Sequence, residues 1–286
     1  MHEPNPQTTE QRGRVQFPSF VLGAGAPLVL IAGPCVIESR SLTIEIARAL
    51  HSLCQRLNMP LIFKASYDKA NRSSVRSFRG PGLKRGLEVL AEIKESLGVP
   101  ILADIHCRSE VEAARHVLDV IQIPAFLCRQ TDLIIEAAQT NRVINVKKGQ
   151  FMAPWDMRAV LEKIASTRNS QILVTERGCC FGYNNLVVDF RSLVILKKIG
   201  VGVVFDVTHS VQLPGGRGDT SGGQREYVPY LARAATAVGI DALFMEVHPD
   251  PDCALCDGPN AMPLSALEEL LKEIIFIDVY VKKKSA

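Results

Sequence analysis

Apolar, β-branched runs recur along the whole chain: LVLIAGPC (28–35), LIFKAS (61–66), PILADIH (100–106), VIQIPA (120–125), VINVKKG (143–149), QILVTER (171–177), GVVFDVT (202–208) and ALFMEVH (242–248). Nearly every position in them is apolar, which suits strands covered on both faces, as in a parallel sheet. Between the runs the apolar positions change to helical spacing. Residues 41–57 carry Leu42, Ile44, Ile46, Ala47 and Leu50, and similar stretches fall at 83–97, 109–118, 132–139, 157–166, 189–199, 226–238 and 264–280. Eight predicted strands thus alternate with eight predicted helices. Right-handed crossovers between parallel strands then favour a closed α/β barrel, the (β/α)8 TIM barrel. An open doubly wound sheet is the alternative; no G-x-G-x-x-G follows the first strand, which weakens a dinucleotide-binding version of it. The stretch VQFPSFVLGAG (15–25) reads as a short N-terminal hairpin that plugs the barrel's N-terminal mouth. Residues 1–14 and the tail at 282–286 are polar and are expected to be disordered or extended. Residues 15–286 read as a single barrel domain.

Composition narrows the class. At 286 residues the chain has the usual size of such a barrel, and 47% hydrophobic residues suffice for a large core. A net charge of only +3 argues against a nucleic-acid partner, which calls for a concentrated basic face. No apolar run approaches the roughly 20 residues needed to span a bilayer, so no membrane partner is expected. The polar start lacks the apolar centre of a secretory signal, and a cytoplasmic location follows. The eight cysteines show no disulfide-scaffold spacing, which fits a reducing compartment. Cys253-x-x-Cys256 is half a zinc site, with no second C-x-x-C to complete it.

Barrels of this kind carry their sites at the C-terminal ends of the strands. Here those ends are dense in polar groups. Lys64, Lys69, Arg72, Lys147 and Arg177 come from several strand ends, and a lysine inside an apolar strand is costly to bury alone. Two readings follow. The cations pair with Asp104, Glu176 or Asp206, or they bind the phosphate and carboxylate groups of a ligand. Asn71, Arg72, Ser73 and Ser74 add hydroxyls and backbone N–H groups that suit phosphate. Cys35, His209, Glu246 and Asp257 follow strands one, seven and eight. Strands one and eight are neighbours in a closed barrel, so these four can converge on one ion. A thiolate, an imidazole and two carboxylates suit zinc or iron better than magnesium. Otherwise Cys35 is a small buried thiol and His209 a hydrogen-bonding residue. His106 and His248 end strands and can line the site. Trp155 reads as a packing residue. The Gly-rich segment at 212–225 reads as a lid or a plain loop, with Arg217 able to reach a phosphate. No G-x-S-x-G elbow points to a serine hydrolase.

The segments IAGPCVIES, FKASYDKANRSS, DIHC, VIQIPAFLCRQTDL, INVKKGQFMAP, TERGCCFGYNNLVVD, FDVTHSVQLPGG and MEVHPDPDCALCDGP closely resemble the 3-deoxy-D-manno-octulosonate 8-phosphate synthases, in order, over residues 15–280. The related heptulosonate 7-phosphate synthases carry a K-P-R-T-S-type motif where this chain has KANRSS. The resemblance implies a cytosolic homotetramer that condenses phosphoenolpyruvate with arabinose 5-phosphate in lipopolysaccharide (Kdo) biosynthesis. It implies that Lys64, Lys69, Lys147 and Arg177 hold phosphoenolpyruvate, with Gln122, Pro124 and Ala125 shaping its pocket. Asn71, Arg72 and Ser73 would hold the sugar phosphate, and Asp104 would lie near the reacting carbons. Lys69 or a metal would stabilise the aldehyde oxygen, with His209 and Asp257 as candidate proton carriers. Cys35, His209, Glu246 and Asp257 match the divalent-metal set (Zn, Fe or Mn) of the family's metal-dependent branch. Yet Cys256-Asp257-Gly258-Pro259 resembles the metal-independent branch, so the chain is mixed by this criterion. The rival readings are a heptulosonate synthase, a metal-dependent barrel hydrolase and a non-catalytic anion sensor.

Overall fold

The computed structural model describes residues 13–72, 74–216 and 221–285. Among them, eight parallel strands close on themselves: β1 (Val29–Gly33), β2 (Leu61–Lys64), β3 (Ile101–Asp104), β4 (Val120–Ile123), β5 (Val143–Lys147), β6 (Ile172–Glu176), β7 (Gly202–Asp206) and β8 (Ala242–His248). The closure is the pairing of β8 with both β7 and β1, in register Ala242↔Val29 through Glu246↔Gly33. The expected barrel is therefore present, and the open sheet is excluded. Helices α1 (Arg40–Leu57), α2 (Leu83–Leu97), α3 (Arg108–Ala114), α4 (Thr131–Ala138), α5 (Met157–Ala165), α6 (Arg191–Ile199), α7 (Val228–Val238) and α8 (Leu267–Ser285) alternate with the strands. None of the described helices is long and apolar enough to cross a membrane.

Strand periodicity sorts the side chains. Leu30, Ala32, Phe63, Ala103 and Ile121 join the large core between strands and helices. Val29, Ile31, Ile62, Leu102, Val120, Val143, Leu173, Val204, Ala242 and Phe244 fill the barrel's N-terminal half. The expected hairpin pairs Val15–Gln16 with Val21–Leu22, and its Val15, Phe17 and Leu22 join this same interior cluster. Two residues further along the strands, the inward positions turn polar: Lys64, Asp104, Gln122, Asn145, Thr175, Asp206 and Glu246, all buried. The barrel is thus apolar at its plugged end and polar at its open end.

Two expectations need correction, one at the C-terminal end and one at Trp155. The tail at 282–286 is not a free polar segment, because α8 runs to Ser285. Lys282 donates to the carbonyl of Ala26 at 2.6 Å, and Asp278 accepts from the amide of Leu28 at the entry to β1. Trp155 is 59% exposed rather than packed. The expectation for 1–14 falls almost wholly outside the described residues.

Gly33 shows why β1 ends in glycine. A Cβ there would stand 1.8 Å from the carbonyl oxygen of Lys64. Only backbone faces the new methyl, so β1 and β2 would have to part. Gly33→Ala is expected to destabilise the barrel by about 3 kcal/mol or more, beyond ordinary overpacking. A urea midpoint equal to that of the unsubstituted protein would refute this.

Candidate active site

One cavity opens at the C-terminal end of the barrel. Lys64, Lys69, Arg72, Lys147 and Arg177 line it with Asp104, Glu246 and Asp257; Asn71, His106, Pro124, Ala125 and His209 complete the wall from the residues singled out in the sequence. Four expected residues fare differently. Gln122 is wholly buried beneath the wall, donating to Asp104 Oδ1 at 2.6 Å. His248 is buried, with Nδ1 against the carbonyl of Asp250, and does not line the cavity. Ser73 and Arg217 lie outside the described residues. The sequence reading missed Phe126 and Gln150, and named Gln212, Pro214, Gly215 and Ser221 only as part of the 212–225 segment; all six also line it. Gln150 had a signal, since it closes the KKGQ stretch that follows β5. The others lie in short turns and connections without any periodic pattern.

Gln212, Pro214, Gly215 and Ser221, from the described parts of the 212–225 segment, form one side of this mouth. Gln212 and Leu213 pair antiparallel with Gly223 and Gly222. Gln212 bridges two wall residues, accepting from Arg177 Nη2 at 3.1 Å and donating to Asp257 Oδ1 at 3.3 Å.

The buried cations are paired with carboxylates, as one of the two readings expected. Lys64 donates to Glu246 Oε1 at 2.6 Å and to the Cys35 carbonyl at 2.9 Å. Lys147 donates to Asp206 Oδ2 at 2.5 Å. Both lysines are therefore paired and still face the cavity. Lys148 points away from it, toward the Met152 carbonyl and Glu176. Lys69 stands 3.8 Å from Glu246, beyond hydrogen-bond reach. Arg177 is buried, and its Nη1 has no hydrogen-bond partner among the described residues. A buried guanidinium nitrogen without a partner is costly, and Arg177 is among the residues that line the cavity.

The carboxylates answer these charges. Burial pushes the Asp104 carboxyl up, but Lys69, Lys64 and Lys147 outweigh it and hold it well below the usual range. Glu246 behaves alike: burial raises it, and Lys64, His209 and Lys69 bring it down. Both are anions at neutral pH. Asp104 is held from two sides, by Gln122 and by Ser66 Oγ at 2.7 Å. Gln122 accepts in turn from Asn145, and Asn145 from Thr175, each at 2.8 Å. This belt across β3 to β6 fixes Asp104 with no freedom to swing.

The candidate metal ligands form two overlapping triads rather than one closed set: His209, Glu246 and Asp257, and Cys35, Cys256 and Asp257. Asp206 Oδ2 faces His209 Nδ1 at 2.8 Å, which leaves Nε2 directed at Glu246 and Asp257, each 3.8 Å away. A carboxylate behind the distal ring nitrogen is the usual support for a metal-bound histidine. Glu246 Oε2 is buried with no hydrogen-bond partner among the described residues. An orphaned carboxylate oxygen beside an imidazole and an aspartate fits a cation. Burial, with Cys256 alongside, pushes the Cys35 thiol well up, so it is neutral until a metal displaces its proton. Cys253 takes no part; its sulfur lies against Asp250.

Known proteins resemble this chain over nearly its whole length. The DAHP synthetase I family model matches residues 6–283. A 2-dehydro-3-deoxyphosphooctonate aldolase from Geotalea daltonii is 63% identical over 261 residues, 91% of this chain and 96% of its own. Those from Trichlorobacter lovleyi and Geobacter sulfurreducens are each 61% identical over 264 residues, 92% of this chain and 97% of theirs. With an end-to-end family match and relatives this similar over nearly their full length, the chain belongs to the DAHP synthetase I family, on the side of its 2-dehydro-3-deoxyphosphooctonate aldolases.

Proposed function

We propose that the protein condenses phosphoenolpyruvate with D-arabinose 5-phosphate and water, giving 3-deoxy-D-manno-octulosonate 8-phosphate and inorganic phosphate. The observation that carries this reading is the cavity wall, where five cationic side chains outnumber three carboxylates. Two phosphorylated anions repel each other in water, and a wall of this sign offsets that repulsion while holding them close. The related heptulosonate synthase reaction would use the same wall; the names of the similar proteins favour the octulosonate product.

Lys64, Lys147 and Arg177 come from neighbouring depths of the barrel and would hold the phosphoenolpyruvate phosphate and carboxylate, with Lys69 beside them. The turn at Pro124 and Ala125 would close the pocket's side. Asn71 and Arg72, on the loop after β2, would take the sugar phosphate farther out, with Ser73 in the same loop. Carbon 3 of phosphoenolpyruvate attacks the aldehyde carbon, leaving negative charge on the aldehyde oxygen and positive charge at carbon 2. Lys69 would meet the first charge and supply the proton. The fixed anion of Asp104 would stabilise the second. Water adds at carbon 2, and the resulting hemiketal phosphate expels phosphate. Asp257 would handle the water proton. With Nδ1 committed to Asp206, His209 would act through orientation more than proton transfer. Cys35, His209, Glu246 and Asp257 would hold a divalent ion (Zn, Fe or Mn), which supplies Lewis-acid polarisation when bound. A cytoplasmic homotetramer of one catalytic domain, residues 15–286, goes with this reading; exposed Phe126, Phe151 and Phe181 are apolar surface that such an assembly would cover.

The deciding assay is phosphate release from phosphoenolpyruvate. Release should require arabinose 5-phosphate, exceed that with erythrose 4-phosphate, stop with a chelator and return with Zn²⁺, Fe²⁺ or Mn²⁺. Release that survives complete metal stripping would sink the metal requirement alone; no pentose-dependent release from folded protein would sink the reaction. Separately, Arg177→Ala should raise the KM for phosphoenolpyruvate about 10- to 150-fold, the loss of a charged hydrogen bond of about 1.5–3 kcal/mol. An unchanged KM would remove Arg177 from the anion site.

A further inference from the structure

We propose that Cys256 is a further metal ligand, so that two thiolates, from Cys35 and Cys256, meet the ion that Asp257 holds. The inference deepens the metal-dependent reading above and rests on it. The two sulfurs come from opposite sides of the barrel's closure, Cys35 after β1 and Cys256 on the loop after β8. They nevertheless lie 2.9 Å apart, and Cys35 Sγ lies 3.3 Å from Asp257 Oδ2. Both cysteines are buried, at 6% and 3% exposure. Metal–sulfur bonds of about 2.3 Å and metal–oxygen bonds of about 2.0–2.2 Å set neighbouring ligands of a four- or five-coordinate ion roughly 3–4 Å apart. The Cys35–Asp257 and His209–Asp257 separations, 3.3 and 3.8 Å, already match this spacing. The sulfurs need to part by less than about 1 Å to join it.

Four features point the same way. Asp257 has a φ of +49°, in the left-handed region that aspartate adopts only at some cost. It is the one residue common to both triads. Glu246 Oε2 is an orphaned oxygen in the triad that Asp257 shares. Arg72 Nη1 donates to Cys256 Sγ at 2.7 Å, giving the sulfur the kind of outer hydrogen-bond donor that supports a metal-bound thiolate. The same arginine is proposed above to hold the sugar phosphate, so a bound ion and the acceptor substrate would share one guanidinium.

A second thiolate changes which ion the site prefers. Soft sulfur donors favour zinc or iron(II) over manganese and strongly disfavour magnesium. It also accounts for the mixed motif: the cysteine before Asp257 adds to the metal set and does not replace it.

The experiment titrates Co²⁺ into metal-free protein and reads the sulfur-to-cobalt charge-transfer absorption per bound ion. Cys256→Ser and Cys35→Ser should each keep about half the intensity of the unsubstituted protein, and the double variant none. In competition with a chelator, Cys256→Ser should bind Zn²⁺ at least about tenfold more weakly, since even an outer partner is worth 10- to 100-fold. Zinc X-ray absorption of the unsubstituted protein gives the same count with no variant, as two sulfur scatterers near about 2.3 Å. One sulfur, with Cys256→Ser indistinguishable from the unsubstituted protein, overturns the inference and leaves the metal reading standing. No sulfur-to-cobalt absorption in the unsubstituted protein overturns both.

Discussion

The ion pair of Lys64 with Glu246 sets the terms for the rest of the site. It spans three strands, from β2 to β8, across a β1 that offers only hydrogen at Gly33. Glycine at that point lets the strands approach and leaves room for the two charged side chains to meet above the backbone. Both residues are almost fully buried, where an unpaired charge would cost several kcal/mol. Lys64 thereby helps to hold Glu246 as an anion. The pair fixes an ammonium at the cavity floor and a carboxylate with one oxygen spare. One contact thus presents an anion site and a cation site side by side.

The other charges repeat this arrangement. Lys147 with Asp206 forms a second pair, and Asp206 also holds His209. Asp104 is fixed by the amide belt and surrounded by three lysines. Lys64, Lys147, Asp104 and Glu246 are each held by a buried partner. This suits a site that must hold two mutually repelling anions at reacting distance, because preorganised charges need not reorient during the reaction.

Much of this was legible in the sequence, for a physical reason. A parallel strand covered on both faces is apolar throughout, so a lysine or aspartate within one stands out, as Lys64 and Asp104 do. The hairpin and the closure followed from the same patterning. What escaped was of other kinds. Gln122 carried a strand-end signal, but its function is to hold Asp104 beneath the wall, and only the cross-strand register reveals that. Phe126, Gln212 and Pro214 lie in short turns and connections between the main elements, where no period marks which side chain faces the cavity. The last turns of α8 read as a loose basic tail because Lys282 to Lys284 look solvent-bound; Lys282 in fact caps a carbonyl near β1. The nearness of Cys256 to Cys35 joins residues 221 positions apart, and sequence alone left the role of Cys256 open.

The apolar plug also shapes the electric field. Phe17 and Leu22 seal the barrel below Phe244, whose ring lies under Lys147 at 4.0 Å and Lys64 at 5.6 Å. Ions and water cannot screen the lysines from beneath, and the poorly polarisable floor sends their field lines toward the single open mouth. The barrel works as an electrostatic funnel, drawing anions in from solvent by long-range attraction that added salt weakens. A hairpin that touches no substrate thereby helps to set how fast substrate arrives.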